Sequence, residues 1–317
     1  AIELQTTLSA DPRVQSVNFS RYTEGQAEVE IGSTAGVDGG YRTGMAALIT
    51  GLVMREGASV KQGYEFDASR EYHQLEPGRT AMTALEKIGR QLGATPLKTG
   101  RRRAILEPDV VGTLLQLLAY AVSGKTLAEG KSRLAGKLGH TVAADSVTIV
   151  DDATLPTGLA SYPFDAEGTP AGRVTIIEDG VFRSFLHNSD TAARTGQRTT
   201  GHASRTYLST LSVSPSNLML EPGSGVTVSD GVIVTDLMGV HAGANPITGD
   251  VSVQAMGLEV SGGEQRPVDD FAISFNLFEL LMRVSEVGDT IRWKPGFGGG
   301  ALGTPSVAVE DLSFAGS

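Results

Sequence analysis

The chain has 317 residues, 40% hydrophobic and 20% charged, enough apolar material for one large or two medium-sized globular units. A formal net charge of −10 repels phosphate backbones and argues against general nucleic-acid binding. The complete absence of cysteine removes disulfides, thiolate nucleophiles and cysteine-ligated zinc or iron–sulfur centres, and suits a reducing cytoplasm.

The chain opens on Ala1-Ile2-Glu3, with no basic and apolar leader and no initiator Met, so a processed or trimmed start is expected. From Arg13 to Phe66, apolar and polar positions alternate between glycine breaks at Gly36, Gly39, Gly40 and Gly57, predicting short antiparallel strands. Ala81, Ala84, Leu85, Ile88 and Leu92 recur at helical spacing, with Pro77 near the start and Gly93 just after. Gly93 to Arg103 reads as a polar linker, and its basic run Lys98, Arg101, Arg102 and Arg103 as a solvated loop. This divides the chain into residues 1–96, the remainder of an N-terminal α/β domain, and a β-rich C-terminal domain over residues 97–317.

A second helix is predicted to start at Pro108 and end before Gly124. Its apolar residues, among them Val110, Val111, Leu114, Leu115, Leu118 and Val122, occupy nearly every face, so it must be buried all round. At fewer than the ~20 residues needed to span a bilayer, it is a core or interface helix and not a membrane segment. After it come short β-type runs, including Val174–Ile177, Leu208–Val213, Val226–Val228, Val232–Leu237 and Phe271–Phe275. Asp179-Gly180 and Asp230-Gly231 are the two strongest hairpin signals. The fold class expected is α+β, with a large, mainly antiparallel β domain and one buried helix.

Chemistry is sparse. The five histidines, His73, His140, His187, His202 and His241, are scattered singly, without the close pair a helix-borne zinc site needs. No G-x-S-x-G elbow announces a serine hydrolase. Asp165 and Glu167, two residues apart beside a turn, could serve acid–base work or a cation, or could cap their own turn's amides. Thr200-Gly201-His202 could present amides and an imidazole to a ligand, or form a plain loop. The glycines around Gly296–Gly300 lack the order of a phosphate cradle.

Several motifs in order resemble the TldD/PmbA (TldE) family, once called modulators of DNA gyrase. They are Asp11-Pro12-Arg13-Val14, Leu92-Gly93-Ala94, Gly158-Leu159-Ala160-Ser161 running into Phe164-Asp165-Ala166-Glu167-Gly168, Thr200-Gly201-His202-Ala203, Thr248-Gly249-Asp250-Val251-Ser252 and Leu312-Ser313-Phe314-Ala315-Gly316. Members normally carry a further N-terminal α/β segment ahead of the Asp-Pro-Arg-Val region. The resemblance implies a division of labour: TldD-like subunits bind zinc through an H-E-x-x-x-H helix, and PmbA/TldE-like subunits lack that motif and pair with them. The corresponding helix here reads Leu114-Leu115-Gln116-Leu117-Leu118-Ala119-Tyr120-Ala121-Val122-Ser123-Gly124, without His or Glu, and the cysteine that TldD-like members add is absent.

The resemblance therefore implies a non-catalytic subunit with no catalytic or metal-ligating residue of its own. Zinc is expected in a TldD-like partner, and the substrates are unstructured or leader peptides. Asp165, Glu167, Thr200, Gly201 and His202 are the candidates for lining a substrate chamber or interface. The alternatives are a stand-alone hydrolase and a peptide-binding homodimeric scaffold; neither a nucleic-acid nor a membrane partner is expected.

Overall fold

A computed structural model describes residues 1–34 and 36–316. A short first helix, α1 (Ile2–Ser9), precedes two long strands, β1 (Val14–Gly32) and β2 (Asp38–Glu56), and a shorter one, β3 (Ser59–Ser69). They form an antiparallel sheet in the order β1-β2-β3. The strands are longer than the glycine breaks suggest, because Gly39 and Gly40 lie within β2 and do not turn the chain. A side chain at Gly40 would press on the Val29 carbonyl oxygen of β1, 3.2 Å away, so this glycine serves close strand contact. Helix α2 (Pro77–Gly89) starts with proline in its first turn, as predicted, and packs Ala81, Ala84, Leu85 and Ile88 with Leu4, Leu8, Leu48, Leu52 and Met54.

The predicted linker contains β4 (Thr95–Pro96) and the start of β5 (Gly100–Leu106). Lys98 lies exposed between the two strands, but Arg101, Arg102 and Arg103 are in β5 and not in a solvated loop. Arg101 pairs with Asp311 at 2.6 Å, Arg102 with Glu259 at 2.5 Å and Arg103 with Glu286 at 3.0 Å, each reaching a neighbouring part of the sheet. Helix α3 (Pro108–Ala121) follows the predicted bounds and leads into α4 (Gly124–Ala128).

Next come β6 (Ile149–Asp152), β7 (Arg173–Glu178), β8 (Val181–Phe182), α5 (Ser189–Thr195), β9 (Ala203–Ser204), β10 (Ser212–Val213) and β11 (Asn217–Leu220). Asp179-Gly180 makes the β7–β8 hairpin as expected. Asp230-Gly231 makes none, and Val226–Val228 is not a strand. Gly231 opens β12 (Gly231–Met238), where a side chain would collide with the Arg103 carbonyl oxygen of the adjacent β5. The chain ends through α6 (Val240–Gly243), β13 (Asp250–Ser261), β14 (Glu264–Asn276), α7 (Leu277–Leu281), β15 (Val284–Val287), β16 (Arg292–Pro295), β17 (Ala301–Thr304) and β18 (Val307–Ala315).

Two larger sheets result. One runs β16-β17-β11-β6-β7-β8; the other runs β15-β18-β5-β12-β13-β14-β4, with an extra pairing of β18 to β14. That pairing closes β18, β5, β12, β13 and β14 into a five-stranded barrel, which removes free edges. The fold is α+β and mostly antiparallel, with parallel exceptions that include β5–β12 and β11–β17. Among the described residues no helix is long and apolar enough to cross a membrane.

Candidate functional site

Three places could carry function: helix α3, a polar network beneath the loop around Tyr162, and the cleft above that loop.

Helix α3 packs against β11 and β17 on one side and β12 of the barrel on the other. No residue of Pro108–Ala121 is exposed, but burial is not equal all round as expected: Val110, Val111, Leu114, Leu115, Leu118 and Ala121 are buried, while Thr113, Gln116, Leu117 and Tyr120 make a half-buried stripe. Leu114, Leu115 and Leu118 belong to the main core with Ile149, Leu218, Leu220 and Val234. Where the resemblance would put zinc ligands, the helix therefore offers packed hydrocarbon. Among the described residues no group of three or more His, Cys, Asp or Glu side chains is placed to hold a metal. These residues do not fit a zinc ion.

The polar network brings the sequence candidates together. Asp165 is buried, and its carboxylate accepts backbone N–H bonds from Glu167 at 2.9 Å, Thr169 at 3.0 Å and Ala203 at 2.9 Å. It thereby ties the 165–169 turn to the strand that follows His202, as short acidic side chains in turns often do. Glu167 is half-buried, and its Oε2 accepts from the Ser189 N–H at 2.8 Å, at the first turn of α5. Gly201 holds φ at +74°, and a side chain there would strike the Pro170 carbonyl oxygen.

His202 sits between two partners, with Nδ1 2.9 Å from Thr200 Oγ1 and Nε2 2.9 Å from Asp151 Oδ1. The same Asp151 carboxylate accepts the Ser216 N–H at 2.9 Å and the Ser216 hydroxyl. Asp151 and Ser216 were not among the sequence candidates; Asp151 lies in an unremarkable Val-Asp-Asp strand, and only its burial reveals it. The string of hydroxyl, imidazole and carboxylate has the order of a hydrolase triad, but the geometry opposes that use. Thr200, the half-buried would-be nucleophile, is already committed: its Oγ1 accepts the His187 N–H at 2.7 Å and faces the His187 carbonyl oxygen at 3.2 Å, and the base it would need, His202, is sealed from solvent. A nucleophile needs a free lone pair and a base that can exchange its proton. Nearby His187 is buried too, and burial, reinforced by His202, lowers its pKa.

Above this network the distal half of the β1–β2 hairpin leans over the body. Tyr41 meets Phe164 edge-on with ring centroids 5.2 Å apart. Between them opens a cleft of about 990 Å³, continuous with a second of about 640 Å³ through Tyr41, Thr43, Ser161 and Tyr162. The second space reaches the glycine-rich turn at Gly296, Gly299 and Gly300. Tyr162 links cleft and network: its hydroxyl donates to the Gly201 carbonyl at 3.3 Å, and burial, followed by Asp151 and Asp165, pushes its pKa far above the usual phenol value. The five candidates thus share one buried scaffold, of which Tyr162 forms part of the wall facing the cleft.

Comparison with known proteins agrees with this architecture. Residues 99–316 match the model described as the PmbA/TldA metallopeptidase C-terminal domain, and residues 1–92 match that of the central domain. "Metalloprotease PmbA" of Escherichia coli O157:H7 is 28% identical over 319 residues, spanning 98% of this chain and 69% of that protein. A PmbA homologue of Haemophilus influenzae is likewise 28% identical, over 99% of this chain and 68% of its own length. Among solved structures, TldE from Thermococcus kodakarensis superposes with a TM-score of 0.91 at 25% identity, over 99% of this chain and 72% of that one. A putative modulator of DNA gyrase from Thermotoga maritima gives 0.90 at 29% identity, over the same shares.

Proposed function

The chain belongs to the PmbA/TldD metallopeptidase family, and we propose that within it this chain is a TldE/PmbA-type subunit without a catalytic centre of its own. It shapes the chamber of a zinc metalloprotease whose metal sits in a TldD-type partner and which cleaves unstructured or leader peptides. The observation that carries this reading is helix α3, where Leu115, Gln116, Leu118 and Tyr120 stand in the stretch that the family's zinc-binding members fill with ligands, and where the packing leaves no polar cavity. Zinc chemistry needs His or carboxylate ligands and an open position, and a stretch of Leu, Gln, Ala and Tyr supplies no such ligand set. Asp165, Glu167, Thr200, Gly201 and His202 act as the scaffold that holds the cleft's wall, and Glu167, the least buried carboxylate of the group, is the one suited to touch a partner.

The test is to purify the chain alone and together with a TldD-type subunit from the same genome. The expected result is substoichiometric zinc and no peptide cleavage for the chain alone, and chelator-sensitive cleavage once the two are mixed. Cleavage of a casein-derived peptide by the isolated chain, or failure of any TldD-type subunit to co-purify with it, would overturn the reading.

A further inference from the structure

From Asp38 to Met45, β2 has a strand neighbour on one side only. β1 pairs along its whole length, whereas β3 pairs with Ala46–Glu56 alone. Alternate residues of the unpaired stretch turn backbone N–H and C=O groups away from β1, along the line β3 would follow had it continued past Ser69. An unpaired edge is a template for another strand. In this chain the edge is not left to open solvent, because Tyr41, Arg42, Thr43 and Gly44 line the 990 Å³ cleft, with Ser161 and Tyr162 on the opposite wall.

Arg70 stands at the end of that edge, immediately after β3 stops. Its half-buried guanidinium donates to Thr43 Oγ1 at 3.4 Å and to the Ser161 carbonyl oxygen at 3.3 Å, so it spans the cleft from the strand to the far wall. Both acceptors are neutral and both bonds are long for a guanidinium, which forms shorter and stronger bonds with carboxylates. Of the other charged groups lining the cleft nearby, Arg42 pairs with Glu28 at 3.1 Å, and Glu71 lies 3.5 Å from His73 and points its exposed carboxylate to solvent, leaving Arg70 as the cation held between the two walls. A positive group facing a groove with only neutral partners selects an anionic ligand.

We infer that the free edge of β2 from Asp38 to Met45 receives an extended peptide as an added strand, with a carboxylate of that peptide on Arg70. Main-chain pairing would supply affinity with little demand on side-chain identity, and Arg70 would fix the register. A strand running parallel to β2 brings its C-terminal carboxylate to Arg70; an antiparallel one brings an acidic side chain near its N-terminus. The inference rests on the proposal that the family complex handles peptides, and it names the surface of this subunit that holds them.

The experiment uses the full 317-residue chain and fluorescein-labelled octapeptides of Thr, Val and Ser, read by anisotropy. The probes are a free acid, a C-terminal amide, an amide with one Glu near the N-terminus, and a free acid N-methylated at alternate residues. N-methylation is expected to weaken binding at least about tenfold by removing the pairing donors. Arg70→Gln should weaken the free acid or the Glu peptide about tenfold and leave the plain amide unchanged, with Arg70→Lys recovering part of the loss. Whichever acidic probe responds identifies the strand direction. Binding indifferent to N-methylation, an Arg70→Gln chain with unchanged selectivity, or no binding by any probe would overturn the inference. Failure here with cleavage by the mixed complex intact removes only this site; intact binding with no TldD-type subunit co-purifying removes only the proposed function.

Discussion

His202 Nε2 and Asp151 Oδ1 lie 2.9 Å apart, with the imidazole 1% and the carboxylate 0% exposed. Asp151 is the hub of this pair, because the same carboxylate also takes the N–H and hydroxyl of Ser216. Buried polar groups are stable only while every partner is present.

Asp151→Ala should therefore be among the most damaging single changes, costing about 3–5 kcal/mol by stranding His202 and Ser216 in the interior. Glu167→Ala removes one bond at a half-buried position and should cost about 1 kcal/mol or less. Urea unfolding of both variants checks the contrast. Equal losses would mean that burial does not rank these carboxylates.

A pH effect is expected from His187. Its Nδ1 lies 3.1 Å from Thr191 Oγ1, its Nε2 has no hydrogen-bond partner, and burial lowers its pKa, with His202 adding to the shift. The folded state thus binds a proton less readily than the unfolded chain, whose histidine titrates at about 6.5. This stability is complete above that value and declines as pH falls towards the depressed folded pKa. Urea midpoints measured between about pH 5 and 8 should drop on the acid side, and His187→Phe should flatten that drop. An unchanged slope in the variant would assign the acid sensitivity elsewhere.

Restoring ligand-type residues to α3 should damage the fold and not revive chemistry. Leu118 is fully enclosed, so Leu118→Glu is predicted to cost about 3 kcal/mol or more, while Gln116→Glu at a half-buried position should cost far less. Denaturant unfolding compares them, and a mild effect at Leu118 would mean the helix has room that its packing does not indicate.

The last prediction concerns the contact between the N-terminal sheet and the rest of the chain. Lys87 lies 2.5 Å from Asp109 and 3.8 Å from Glu65, while Arg292 pairs with Glu65 and Lys294 with Asp109. Burial alone would raise the Asp109 pKa, but Lys87, then Lys294 and Arg292, hold it well below the usual carboxylate range. Asp109→Asn leaves three cations around the single Glu65 carboxylate and should destabilise by about 2–4 kcal/mol at neutral pH. Because the depressed carboxyl contributes its stability above the unfolded value of about 3.9 and loses it only in strong acid, the gap from wild type should persist down to about pH 5. Unfolding curves at pH 5 and 7 test this.

Much of the fold is written locally. Helix α3 is legible because of its dense apolar content between Pro108 and Gly124, and the Asp179-Gly180 hairpin because its turn chemistry is local. Where long-range contact decides, the local text misleads. Gly231 looks like a turn residue but is required by the approach of β5, and Arg101–Arg103 look like a solvated loop because Asp311, Glu259 and Glu286 are remote in sequence. Helix α1 escapes notice because it is short, with Leu4 and Leu8 its only buried residues. Of the polar network, Asp165 and His202 were visible as motif residues, whereas Asp151 and Ser216 become meaningful only through their burial together.

The five-stranded barrel has one more consequence, in the order of events during synthesis. β5 is the barrel's first strand to leave the ribosome and β18 its last, yet the two are neighbours, with Leu106 opposite Val307. Until β18 has emerged, β5 lacks its partner on one side and the ring stays open, even once β12 has paired with the other. Closure by such a distant partner makes for slow folding, and a chaperone that shields β-edges would find its longest-lived client surface along β5.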